Sequence, residues 1–182
     1  MNVNCFFGSF PEIDLGDIVL RQITKDDAQD YLNYMSRTEM RAFLTKDNIP
    51  ENIDRALEEV SYWGSLFTAK RSIYWAIALK KNDQMIGTAG FNIISFANSR
   101  ADISYDLDPK YWGKGVMLKS IKAILNFADQ TLGLVRIQAT VMTTNDRSIK
   151  LLERCEFHRE GVLEKYEIVD GSYKDYYMYA KV

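Results

Sequence analysis

Gly113-Lys114-Gly115 is the stretch whose residue types and spacing are most able to do chemistry. Two glycines one residue apart stand just ahead of an apolar helical pattern. The first turn of a helix presents four N–H groups without intrahelical acceptors, and glycines leave them uncovered by side chains. Together with the helix dipole, this suits a phosphate or pyrophosphate, and Lys114 adds a charge. The common nucleotide motifs do not fit. A dinucleotide fingerprint needs glycine where Leu118 stands, and a P-loop needs Ser or Thr after the lysine, where Gly115 stands. A tight strand-to-helix turn anchored by Trp112 explains the same residues, so both readings stay open on the loop alone.

Residue counts remove other chemistries. His158 is the single histidine, which excludes two-histidine zinc sites and His-rich iron sites. Cys5 and Cys155 have no CxxC spacing, so neither a disulfide framework nor a thiolate metal knuckle is suggested. A nucleophile pair of Cys5 with His158 finds no local support. Lys and Arg number 23 against 25 Asp and Glu, a net charge of −2, which offers no electrostatic footprint for nucleic acid. Met1 to Phe10 has neither a basic region nor a long apolar run. No stretch approaches the roughly 18 apolar residues of a membrane span. The expectation is a cytoplasmic protein without a membrane or nucleic-acid partner.

The elements that must position the loop follow from periodicity. Ile18 to Ile23 reads as a strand, and Thr24 to Asp27 as a capping pattern. Ala28, Tyr31, Leu32 and Met35 then share one helix face. A second helix runs after Pro50 through Ile53, Leu57, Val60, Gly64 and Phe67. Strands are expected over 73–79, 85–96 and 101–107. Met117, Ile121, Ile124, Leu125 and Ala128 predict a strongly amphipathic helix after the loop. A strand over 134–142, a short helix over 145–154 and strands over 157–169 and 173–182 complete the chain. The order βααβββαβαββ predicts an α+β fold, a mixed but mostly antiparallel twisted sheet with helices on both faces. Without repeats or linkers, residues 1–182 read as one domain.

Asp108-Pro109-Lys110-Tyr111-Trp112-Gly113-Lys114-Gly115-Val116-Met117 resembles the acetyl-CoA signature of the GCN5-related N-acetyltransferase (GNAT) family. It is most similar to the branch that acetylates ribosomal-protein N-termini on alanine or serine. Lys110 departs from the family's Arg or Gln. Asn145 to Phe157 resembles the family's Asn-x-x-Ser-x-x-Leu-Leu-Glu block, with Glu156 where glycine is usual. Glycine suits a left-handed helix end, so Glu156 predicts a slightly altered one. Tyr166 to Asp175, followed by Met178-Tyr179-Ala180, resembles the closing hairpin of the ribosomal branch.

The resemblance implies a GNAT fold and an acetyl-CoA-dependent N-acetyltransferase in which an amine attacks the thioester directly. It implies that Trp112, Gly113, Lys114, Gly115, Val116 and Met117 hold the pyrophosphate. It further implies that Ile103, Tyr105 and Leu107 offer backbone to the pantetheine arm, one N–H serving as oxyanion donor. Glu167 stands where the branch carries a glutamate acting as base through water. Ser148 aligns with a serine near the CoA sulfur. Each has a plainer reading: Glu167 as one of several solvated acids, and Ser148 as a first-turn serine. Asn145 suits an N-cap above all, with a CoA contact as a second role. The implied acceptors are a protein N-terminal amine, a ribosomal protein's among them, or else a polyamine, an amino acid or an antibiotic. A non-catalytic acyl-CoA sensor is the alternative from another class. No metal is implied, and both a monomer and a homodimer fit.

Overall fold

The computed structural model describes residues 8–182, so Cys5 lies outside the described residues. The strands are β1 (Ile13–Asp14), β2 (Ile18–Gln22), β3 (Tyr74–Leu79), β4 (Met85–Ser95), β5 (Arg100–Leu107), β6 (Arg136–Met142), β7 (His158–Val169) and β8 (Ser172–Lys181). The α-helices are α1 (Ala28–Met35), α2 (Thr38–Arg41), α3 (Ile53–Thr68), α4 (Val116–Phe127) and α5 (Asp146–Arg154). Every expected element is present. β1 and α2 are additions, each too short to leave a periodicity. The strand expected from Leu134 begins at Arg136, because a π turn over Ala128–Leu132 prolongs α4 and closes on Gly133 at φ +62°.

The strands form one sheet in the order β1-β2-β3-β4-β5-β6-β8-β7. Alternation along β3 shows how it is covered. Trp75 and Ile77 pack in one cluster with Ile121 and Ile124 of α4. Tyr74 and Ala76 pack in another with Tyr31 and Tyr34 of α1 and with Ala56 and Val60 of α3. Helices therefore cover both faces. Burying aliphatic side chains such as Ile121 stabilises by about 1.5–3 kcal/mol each. At the start of α1, the Asp27 carboxylate accepts the Thr24 N–H at 2.8 Å, as the capping pattern predicts.

All neighbouring strands are antiparallel except β5 and β6. That parallel pair holds only Arg100, Ala101 and Asp102 against Arg136, Ile137 and Gln138. Beyond them the strands splay. The register of β4 on β5 slips between Phe91 and Ile93, opposite Ile103 and Asp102. Asn92 is thus a bulged residue placed where the splay begins, and a bulge adds local bend and twist.

The end of α5 departs from expectation. Glu156 takes the left-handed conformation at φ +66°, yet the helix end is unaltered. Its N–H donates to the Glu153 carbonyl at 2.9 Å, and the Phe157 N–H to that of Leu152 at 3.0 Å. These are the two bonds of a Schellman end, and buried Phe157 and Leu152 add its apolar contact. The penalty falls on the backbone of Glu156 itself. Glu156→Gly should raise unfolding stability by about 0.5–1 kcal/mol. The exposed pair with Lys181 that it removes contributes little. A urea titration measures this, and a lower midpoint would show that the turn is unstrained.

Candidate active site

The glycine loop is tied to the end of β5 before it turns into α4. Trp112 Nε1 donates to the Leu107 carbonyl at 2.8 Å. Asp108 accepts the Lys110 N–H at 3.0 Å and pairs with Arg37 at 3.1 Å, so its role is in the turn. Gly113 and Gly115 lie at φ +72° and +78°, a region glycine alone enters freely. A Cβ on either would meet no protein atom within 4 Å. The N–H groups of Gly113 and of Gly115 through Leu118 have no acceptor among the described residues. They form a run of free donors at the positive end of α4.

The splay of β5 from β6 opens a cavity of about 700 Å³ that straddles β5. On the α4 and α5 side it is bordered by Tyr105, Val116, Met117, Ser148 and Leu151. On the α1 side it is bordered by Met40, Phe43, Asn92, Ser104 and Asp106. Glu167 and Tyr176 of the closing hairpin border it as well, and Tyr176 packs with Met142 and Phe43. Of the twelve residues singled out from sequence, Ile103, Tyr105, Leu107, Trp112, Gly113, Gly115, Val116, Met117, Asn145, Ser148 and Glu167 border this one cavity. Lys114 does not; its ammonium sits over the Tyr111 ring, 5.3 Å from the centroid.

Asn145 caps α5, its side-chain oxygen accepting the Ser148 N–H at 3.2 Å. Ser148 and Tyr105 lie together on the cavity wall. Burial pushes the Tyr105 hydroxyl well above its ordinary range, and Ser148 draws it back. Burial, with Glu167 facing it, likewise raises the Tyr176 hydroxyl. Asp106 behaves as a buried acid. Burial pushes it up to about 6, against hydrogen bonds from Thr88 and Tyr34. Cys155 is buried in the main core, and burial raises its thiol, which suits packing rather than attack.

Periodicity missed several residues of the cavity. Arg147 lies over the Trp112 ring at 4.4 Å and links α5 to the loop. Phe43 and Tyr176 gave no signal beyond being apolar or aromatic. Tyr31 and Tyr34 are core, as aromatics on such helices usually are.

Residues 17–158 match the acetyltransferase (GNAT) domain family. The chain belongs to the GNAT family. It is 32% identical over 173 residues to the uncharacterized N-acetyltransferase YoaA of Bacillus subtilis, covering 95% of this chain and 97% of that protein. It is 29% identical over 110 residues to the ribosomal protein uS5-alanine N-acetyltransferase of Escherichia coli, covering 60% of this chain and 57% of that protein. The ribosomal-protein-S5-alanine acetyltransferase structure from Vibrio fischeri superposes with a TM-score of 0.85 at 23% identity, over 94% and 96% of the two chains.

GNAT enzymes use acetyl-CoA, and structures of this fold include complexes with acetyl-CoA or coenzyme A. The residues here fit that co-substrate. Free donors over 115–118 suit a pyrophosphate, and the unpaired edge of β5 beyond Asp102 suits an amide-rich arm. As a GNAT enzyme the chain is an N-acetyltransferase. A methyl group on Gly115 would stand in open space before these donors. Gly115→Ala should therefore weaken acetyl-CoA binding at least tenfold, about 1.4 kcal/mol, by calorimetry. Unchanged affinity would take the loop out of the binding site.

Proposed function

We propose that this enzyme acetylates a protein N-terminal α-amine, of the ribosomal-protein type, by direct attack on the thioester. One observation carries the proposal: Glu167 and Ser148 border a single cavity, and β5 runs between the two sides of it. The similarity to uS5-alanine N-acetyltransferase supports the choice of acceptor. A cytoplasmic setting, one domain over 1–182, and a monomer or homodimer belong to the same reading.

The reaction needs a neutral amine, a held oxyanion and a protonated leaving group. An α-amine has a pKa of about 7.7–8.0, so a modest base suffices at neutral pH. Glu167, half-buried beside Tyr176, takes that proton through a water. The backbone of β5 beyond Asp102, which no longer pairs with β6, supplies an N–H to the oxyanion. Ser148, on the cavity wall beside Tyr105, donates a hydrogen bond to the departing sulfur. As the C–N bond forms and the C–S bond breaks, the attacking nitrogen sheds its surplus proton and the thiolate gains one, the Ser148 hydroxyl remaining neutral and bonded to the sulfur throughout.

Peptides beginning with Ala, Ser or Met, run beside polyamines and scored by thiol release, test the acceptor. Glu167→Gln should lower kcat about 10²–10⁴-fold on the preferred peptide. Full turnover in that variant at neutral pH would remove Glu167 from the chemistry. Ser148→Ala should lower kcat while leaving the KM for acetyl-CoA near its starting value; an unchanged kcat assigns Ser148 to the helix turn alone. Saturating acetyl-CoA at 100 times its Kd should stabilise the fold by about 2.7 kcal/mol. That shift without thiol release from any amine would indicate a sensor instead of an enzyme.

A further inference from the structure

We propose that Asp106 is the docking point for the acceptor's ammonium group. Its Oδ1 accepts the Tyr34 hydroxyl at 2.5 Å and the Thr88 N–H at 3.1 Å, and its Oδ2 accepts the Thr88 hydroxyl at 2.5 Å. All three donors are neutral. Among the described residues no Lys or Arg pairs with it, and the nearby charge acting on it is another acid, Glu59. A half-buried carboxylate, partly withdrawn from water, is favoured by a matching cation. Here the chain supplies none, and the residue borders the cavity that receives an amine. Oδ2, with one donor, keeps a free lone pair for an N–H.

The surroundings hold this carboxylate still. Tyr34 comes from α1 and Thr88 from β4, so two separate elements fix it to β5. Two residues earlier on the same face, Ser104 bonds Tyr74 and donates to Asn92 at 2.8 Å, giving the approach a polar floor. The inference rests on the assignment of Glu167 as base. The ammonium loses one proton to Glu167 through water and keeps another N–H on Asp106. That leaves the nitrogen lone pair directed at the thioester carbon. Glu167 moves the proton and Asp106 sets the angle.

Asp106 is ionised at neutral pH and loses its charge as pH falls through about 6. The groups facing it are Tyr34 and Tyr31 of α1, Glu59 of α3, Tyr74 of β3, Thr88 of β4 and Ser104 of its own strand. The sign of the linkage matters for the test. A carboxyl raised in the fold weakens stability as pH climbs from its unfolded value toward 6, so removing the charge at neutral pH costs the fold nothing through this group.

The test uses the full chain with CoA bound and calorimetric titration at pH 7.5. The probes are an Ala-start peptide with its desamino analogue, and propylammonium with propanol. The wild type should prefer each amine over its neutral isostere at least tenfold. Asp106→Asn should lose that preference and raise the amine KM at least tenfold, with acetyl-CoA affinity unchanged. Glu167→Gln should keep the preference while losing kcat. Tyr34→Phe, which frees the carboxylate but leaves its charge, should raise the amine KM less than Asp106→Asn and supports the proposal should the latter variant not fold. An Asp106→Asn enzyme with the wild-type amine preference, or a Tyr34→Phe enzyme with unchanged amine KM, overturns the proposal. If propylammonium discriminates and neither peptide binds, the N-terminal acceptor falls and Asp106 stands.

Discussion

The parting of β5 from β6 is the constraint on which the rest of the structure depends. Three residue pairs join the two strands, and then each goes its own way. A sheet that stayed paired would satisfy its own backbone and present no cleft. By separating, β5 keeps antiparallel partners on β4 and leaves its other edge for a ligand. The bulge at Asn92 sits at the branching point, and Asn92 itself borders the opening. The glycine loop then follows from where β5 ends. Leu107, through the Trp112 indole, sets the height at which the free N–H groups of α4 face the cleft.

Most of the fold was legible in the sequence because its signals are local. Met117, Ile121 and Ile124 declare a helix by spacing alone, and all three are buried. The capping pairs at Thr24 with Asp27 and at Asn145 with Ser148 were equally readable. Glu156 shows the reverse case. Its side chain argued against a regular helix end, yet the apolar contact of Leu152 with Phe157 and two backbone bonds impose one. Tertiary packing overrode a residue preference worth about 1–2 kcal/mol.

The site was readable in one direction only. Motif resemblance found the loop, Asn145, Ser148 and Glu167, and the cavity gathers all but the Lys114 side chain. What alternation along β5 did not show is how Asp106 is covered. Along β5, Ile103, Tyr105 and Leu107 alternate with Ser104 and Asp106, which reads as an apolar face and a solvent face. Helix α1 covers that second face with Tyr34, so Asp106 is half-buried and hydrogen-bonded. Periodicity tells which residues share a face but not what lies over it. The same holds for Arg147, whose ring partner Trp112 lies far away in sequence.

The three-pair junction also bears on how the molecule comes into being. Strands β2 to β5 are laid down as successive antiparallel neighbours, and β7 and β8 form a hairpin of their own. The pairings among β3, β4 and β5 and of β7 with β8 are short-range and close quickly, whereas β2 meets β3 only after the helices between them. The cleft belongs to neither group, since β5 borders one side and β6 the other. An incomplete chain that has finished its first strands therefore has the glycine loop without a cleft to serve.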